Sequence, residues 1–241
     1  MKILFVICAA ALMLSGAMAE ARPIVNPDGS MPRVQWAVVE SKDGGMEKMQ
    51  ALAARNVAPY AAGESGTYAI YGGIDKSRPN LLRLLEIYRD EAAYQEHRSS
   101  EGFKRYLKER EAVLASLRII EMTPFLLESK TEGEGSVVRM ARLEINENRL
   151  ESYKAALREE ITASVANEPG VLALLATTEK DKPNVFHLLE IYKDDAAYNA
   201  HLAAPYFQKY AQATAGMIKA KQLTENLPTT VRLTGKPFNE K

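Results

Sequence analysis

The 241-residue sequence predicts an α+β protein built from two tandem copies of one unit. The first observation is a long internal repeat: LLEIYRDEAAYQEH (Leu84 to His97) recurs as LLEIYKDDAAYNAH (Leu188 to His201), identical at ten of fourteen positions. The offset of 104 holds without a gap, so that residues 34–107 and 138–211 share 24 identities in 74 positions, and Pro124 and Pro228 continue the register. A period this long means two duplicated domains, because solenoid repeats run about 20–50 residues. The second observation is that each copy alternates strand-like and helix-like hydrophobic periods in one order. The third is the polar, glycine-containing stretch Ser129-Lys130-Thr131-Glu132-Gly133-Glu134-Gly135 between the copies, which reads as a linker. Domains are expected at 32–129 and 136–234, behind a leader at 1–19.

Within each copy the elements follow in order. Val34 to Val39 and Val138 to Leu143 read as first strands. A helix follows, with Met46, Met49, Ala53, Val57 and Tyr60 at three- and four-residue intervals, matched by Leu150, Tyr153, Leu157 and Ile161. Pro59 is expected to kink or end the helix of the first copy. Glu64-Ser65-Gly66 and Glu168-Pro169-Gly170 are turns into second strands at Thr67 to Tyr71 and Val171 to Leu175. Third strands run from Pro79 to Tyr88 and from Pro183 to Tyr192. Asp90 and Asp194 are placed to cap a second helix, which is expected to break near Ser99–Gly102 and Ala203–Pro205. Last strands cover Arg118 to Leu127 and Lys221 to Leu233, with Pro124 and Pro228 marking a bulge or edge. The order βαββαβ is ferredoxin-like, a four-stranded antiparallel sheet with helices on one face. The other face must be covered. Two copies in one chain can pack these faces together, as an intramolecular pseudo-dimeric α+β barrel.

The leader is read from Lys2, an apolar Ile3 to Leu14, and the small-x-small triplet Ala17-Met18-Ala19. It is expected to be a cleaved signal peptide, leaving a periplasmic or secreted chain that begins near Glu20. Cleavage would remove Cys8, the single cysteine, and with it any disulfide, thiolate nucleophile or cysteine metal site. The full chain has 31 Lys+Arg against 31 Asp+Glu and 46% hydrophobic residues. That balance excludes non-specific nucleic-acid binding, which needs a cationic excess. No later apolar run approaches membrane-spanning length, so no membrane association is expected after cleavage.

The chain has three histidines, and His97 and His201 are repeat equivalents, each three residues after a tyrosine, Tyr94 or Tyr198. That spacing puts Tyr and His on one helical face. Facing a cavity, the imidazole could exchange protons near neutral pH; packed inward, it is a structural histidine bonded to a carbonyl or water. Glu86 and Glu190 fall within apolar strands, on the face of Leu84 and Tyr88 or of Leu188 and Tyr192. Such a carboxylate either orients and charge-stabilises the helix histidine or receives structural hydrogen bonds. Tyr88, Tyr192, Phe103, Phe207 and Trp36 suit a core, and Tyr206, aligned with Gly102, could bring a phenol to His201. His187, aligned with Arg83, faces away from Glu190 and reads as surface or interface. Phosphate-loop, H-E-x-x-H and G-x-S-x-G motifs are missing, and the histidines lack metal-ligand spacing.

Taken together, E-x-G, Pro-Asn, L-x-E-x-Y-x-D-x-A-A-Y-x-x-H and a following Phe resemble antibiotic biosynthesis monooxygenase domains, nearest the quinol monooxygenase branch. In the second copy these are Glu168-Pro169-Gly170, Leu189-Glu190-Ile191-Tyr192, Ala196-Ala197-Tyr198, His201 and Pro205-Tyr206-Phe207. The resemblance implies a dimeric α+β barrel and oxygenation without a bound metal, flavin or other cofactor, with a reduced aromatic such as a hydroquinone passing an electron to O₂. It implies His201 or His97 as acid/base, Glu190 or Glu86 as partner, and Tyr192, Tyr198, Tyr206, Phe207, Tyr88, Tyr94 and Phe103 around the pocket. Many members carry a second histidine before the Phe, where this chain has Gly102 and Tyr206. The expected partner is a small aromatic or quinone-type molecule, and the expected assembly a monomeric pseudo-dimer, with further self-association left open. A catalytically silent binding or scaffold barrel is the alternative. Haem-degrading or isomerase members of the superfamily come third, since haem degraders place a Trp near the helix His and the sole Trp here is Trp36, on the first strand.

Overall fold

The computed structural model describes residues 21–130 and 135–229. The expected leader lies outside them, as do residues 131–134 of the linker and 230–234 at the end of the second domain. Among the described residues the first half contains β1 (Ala21–Pro23), β2 (Arg33–Ser41), α1 (Met46–Asn56), α2 (Ala58–Gly63), β3 (Thr67–Asp75), β4 (Leu81–Tyr88), α3 (Glu91–Ser99), α4 (Glu101–Arg110) and β5 (Leu114–Lys130). The second contains β6 (Val137–Ile145), α5 (Leu150–Asn167), β7 (Val171–Glu179), β8 (Lys182–Tyr192), α6 (Asp195–Ala203), α7 (Pro205–Thr214) and β9 (Ile218–Pro228), with a short 3₁₀ turn before α5.

Each half has the ferredoxin-like strand order, β5-β2-β4-β3 and β9-β6-β8-β7, and the two sheets join into one. The join is made by the last strand of each half. β5 pairs with β2 as far as Met122, then crosses to pair with β7 from Met122 to Ser129. β9 pairs with β6 and then meets Gly73–Asp75 of β3. The ring closes, leaving only the short β1 as an addition on β5. Closure answers the problem of the bare sheet face, because a barrel has no exposed edge and one shared interior. Pro124, which cannot donate to a ladder, sits at a register shift between Pro124 and Leu126, the bulge that lets β5 turn from one half to the other. Two expectations change: Ser129 and Lys130 belong to β5 rather than to a linker, and β1 lies ahead of the expected domain start.

Alternation along the strands sorts the side chains. Leu85 and Ile87 point into the barrel with Trp36, Leu175 and Leu189 from around the ring. Leu84, Glu86 and Tyr88 point outward beneath the helices. The helices form separate cores on the outside: Met49, Leu52 and Val57 with Tyr106 in the first half, and Tyr153, Leu157 and Ile161 with Phe186 in the second. Pro59 lies in the first turn of α2, and α1 stops at Asn56, whereas α5 runs unbroken for 18 residues. Asp90 and Asp194 accept hydrogen bonds from the backbone N–H of Ala93 and Ala197, both at 2.8 Å, capping α3 and α6. Gly66 and Gly170 are needed at the turns before β3 and β7, since a Cβ on either would collide with Ala93 or Ala197.

The shared interior predicts one cooperative unfolding transition. Leu85→Ala and Leu189→Ala, one in each half, should each cost about 2–5 kcal/mol and shift the whole transition. Urea titration followed by circular dichroism and by Trp36 fluorescence checks this; separate transitions for the two halves would contradict it.

Candidate active sites on the two outer faces

Two cavities, one per half, lie between the outer sheet face and the helices. The first measures about 200 Å³ and the second about 770 Å³. Each contains the repeated histidine, on the last turn of the capped helix. His97 is 2% exposed and His201 3%. His97 lies between Tyr88 and Phe103, with ring centroids 5.6 and 4.8 Å away. His201 lies between Tyr192 and Phe207, at 5.2 and 4.9 Å.

The turn glutamates hold these rings. His97 Nδ1 is 2.8 Å from Glu64 Oε2, and His201 Nδ1 is 3.3 and 3.2 Å from the two oxygens of Glu168. An ionised carboxylate on Nδ1 keeps the proton of a neutral imidazole there, leaving the lone pair on Nε2. The tight glycine turn places the carboxylate against the helix that carries the histidine. The spacing E-x-G to His is thus a physical unit: a carboxylate-oriented imidazole set in an aromatic wall.

Of the two roles open to the strand glutamates, the hydrogen bonds they receive are the structural one. Glu86 accepts from Gln35 Nε2 and from the Tyr88 hydroxyl at 3.1 Å, and Glu190 accepts from the Tyr192 hydroxyl at 2.9 Å. Neither bonds to the histidine, although the imidazole is close enough to favour the charged carboxylate in each half. Burial is the larger effect and raises both carboxyls above their usual range.

Of the expected pocket residues, Tyr88, Tyr94 and Phe103 line the first cavity, and Tyr198 and Phe207 the second. Tyr192 is fully buried behind Glu190. Tyr206 does not line the second cavity: the inward face of α7 is Phe207, Tyr210, Ala211 and Thr214, at i, i+3, i+4 and i+7, and Tyr206 lies one position off it. In the first half the aligned Gly102 lets α4 press against the Asn56 carbonyl and the Tyr60 ring, where a Cβ would not fit.

The halves have also diverged in their polar groups. Asn56 is bonded to Glu109 at 2.8 Å; its counterpart is Glu160, 6% exposed, whose Oε1 lies 3.7 Å from His201 Nε2. Burial, then the charge of Glu190 and that of Glu168, push the Glu160 carboxyl up from 4.5 to about 8. The second cavity therefore holds a carboxyl whose ionisation burial and its neighbours oppose, 3.7 Å from the imidazole Nε2. Arginine has moved as well. Arg33 covers the Tyr94 ring at 3.7 Å, while in the second half Arg139, two positions along the strand, covers Tyr198 at 4.5 Å. Glu64, Glu168, Glu160 and Arg139 were not among the expected site residues; the repeated E-x-G was the available signal for the first two. No cluster of three or more His, Cys, Asp or Glu among the described residues could hold a metal ion.

The raised Glu160 pKa makes a prediction about stability. Between about pH 4.5 and about pH 8 the native state holds a proton at Glu160 that the unfolded chain has released, so this group lowers stability as pH rises through that window. Glu160→Gln keeps the neutral form. It should be more stable than the parent at about pH 9 by on the order of 5 kcal/mol, with no gain at about pH 4. Denaturant titrations at the two pH values measure the difference; an equal effect at both would refute the assignment.

No protein of the curated set matches the chain. Among solved structures, a monooxygenase candidate from Lactobacillus acidophilus NCFM is 22% identical with a TM-score of 0.77, covering 85% of this chain and 99% of that one. Another, from Fusobacterium nucleatum subsp. nucleatum ATCC 25586, is 20% identical with a TM-score of 0.77, covering 85% and 95%. At these identities the likeness is one of fold. A candidate antibiotic biosynthesis monooxygenase from Bacteroides thetaiotaomicron VPI-5482 is 44% identical over 42% of this chain and 97% of its own, with a TM-score of 0.41. The pattern of the antibiotic biosynthesis monooxygenase family matches twice, at residues 33–109 and 136–213, and so spans more than half of the sequence. The chain belongs to the antibiotic biosynthesis monooxygenase family, as a tandem of two of its domains.

Proposed function

We propose that the protein is an exported oxygenase that acts on a small hydroquinone-type aromatic in the cavity of its second half, without a bound cofactor. The observation that carries this reading is His201, held at Nδ1 by Glu168 and presenting Nε2 within a cavity of about 770 Å³. Small-molecule sites run about 300–1,000 Å³, so the second cavity is of ligand size and the first, at about 200 Å³, is below it. Phe207 and Tyr198 bring aromatic rings to its lining.

In this reading His201 Nε2 takes the phenolic proton, and the ionised Glu168 stabilises the imidazolium that forms. Deprotonation enriches the ring in electrons so that it can reduce O₂, the second substrate; one oxygen atom enters the ring and the other leaves as water, while the quinol becomes the hydroxylated quinone. His97 and Glu64 form the same dyad in the first half, which serves as a secondary site. Export rests on the leader at residues 1–19, and a mature N-terminus near Glu20 in the exported fraction is its check.

The oxygenase reading is tested by O₂ uptake with a hydroquinone panel, using metal-free mature protein and the His201→Ala and His97→Ala variants. His201→Ala should lower the rate by about 10²–10⁴-fold, the usual contribution of a general base, and His97→Ala should leave most of it. Uptake no faster than the uncatalysed reaction would favour a silent binding barrel; equal uptake by parent and His201→Ala would remove the histidine from the chemistry.

A further inference from the structure

A third cleft, of about 350 Å³, lies at the mouth of the barrel and is built by both halves. Residues equivalent under the 104-residue repeat meet in it: Trp36 with Met140, Arg83 with His187, Arg118 with Gln222. It therefore sits on the axis that relates the two copies. On β8 the period-2 alternation turns His187 away from Glu190, so this cleft is separate from the helix-side chemistry.

Its lining is cationic. Arg83, 17% exposed, pairs with the buried Asp75 at 3.1 Å, and Arg78 reaches the same carboxylate at 3.8 Å. Arg142 and His187 share Glu179, at 3.3 and 3.0 Å. Arg118 is exposed and makes no ion pair among the described residues. Burial, outweighing Glu179, holds the His187 imidazole below its ordinary value. Four guanidinium groups thus face three carboxylates, Asp75, Glu179 and the rim residue Glu40, leaving a net positive charge even with His187 neutral. The floor is Trp36, 3% exposed, whose ring centre lies 6.0 Å from that of His187.

In a dimer of identical chains every side chain beside the axis would occur twice. Here Arg142 faces its counterpart Val38, and Arg118 its counterpart Gln222, across one cleft. The tandem chain has made the axis site unsymmetrical: Arg118, Val38 and Arg83 lie side by side on one sheet, and Gln222, Arg142 and His187 on the other. A guanidinium fork matches the oxygens of a carboxylate or phosphate, and an indole floor suits an attached apolar body.

We propose that the barrel-mouth cleft binds a small, unsymmetrical organic oxyanion, a carboxylate or phosphate, through Arg118 and Arg142, with the apolar part of the ligand against Trp36. Trp36 is the sole tryptophan of the chain and reports on occupancy. The experiment titrates the full chain with benzoate and, separately, with inorganic phosphate at constant ionic strength, following Trp36 emission, with chloride as control. Saturable change with benzoate alone identifies a carboxylate bearing an apolar ring; with phosphate alone, a phosphate group; either supports the site. Arg118→Gln and Arg142→Gln should each weaken binding about tenfold, Arg118→Lys less, and Arg33→Gln, whose guanidinium lies elsewhere, not at all. Arg118 is exposed and makes no ion pair among the described residues, so its variants should fold as the parent does, which circular dichroism verifies. No saturable change with either anion, a change that chloride reproduces, or full affinity in both Gln variants would overturn the proposal.

Discussion

The constraint on which the rest depends is the apolar face of a four-stranded sheet that its own helices leave bare. Each half covers one face of its sheet with helices and has nothing of its own for the other. The last strands resolve this by being too long for the half in which they begin. β5, at 17 residues, is half a partner of β2 and half a partner of β7. The interior that results, with Trp36, Leu85 and Ile87 opposite Leu175 and Leu189, belongs to neither half alone. Closure also decides where chemistry can sit. The barrel interior is packed, so the polar outward residues of β4 and β8 meet the helices, and cavities form there.

Duplication within one chain frees the two sites from one another. In both, a turn glutamate, a helix histidine and two aromatic rings keep the same geometry, which a substitution in one copy need not disturb in the other. Around that constant unit the halves differ in the residues that line the cavities and in the polar groups beside the histidine. Asn56 is tied to Glu109, whereas Glu160 has an alanine, Ala213, at the corresponding position and stands beside His201 instead. Gly102 admits a close helix contact that Tyr206 does not.

Much of the fold was legible because it rests on local rules. The capping aspartates, the helix break at Pro59, the alternation through Leu-Leu-Glu-Ile-Tyr and the repeat offset all act over a few residues or by direct comparison. What escaped was what depends on distance along the chain. The His97–Glu64 contact joins residues 33 apart, and nothing in a glutamate before a glycine turn says which side chain it will meet. Strand Glu86 and Glu190 looked like the histidine's partners because they were the conspicuous buried carboxylates. Glu160 was invisible for the opposite reason: within Leu-Arg-Glu-Glu-Ile it reads as one of two solvated helix charges, and only packing separates it from the exposed Glu159. The end of β5 beyond Leu127 escaped because its pairing partner in the other half, not local propensity, prolongs it.

The crossing of β5 has one more consequence, for concentration. A barrel assembled from two free chains is held together by mass action, and dilution takes it apart. Here the second sheet is tethered within a few residues of the first, at an effective concentration on the order of millimolar that does not fall when the protein is diluted. The chain can keep its barrel, and everything lined by both halves, at single-molecule abundance.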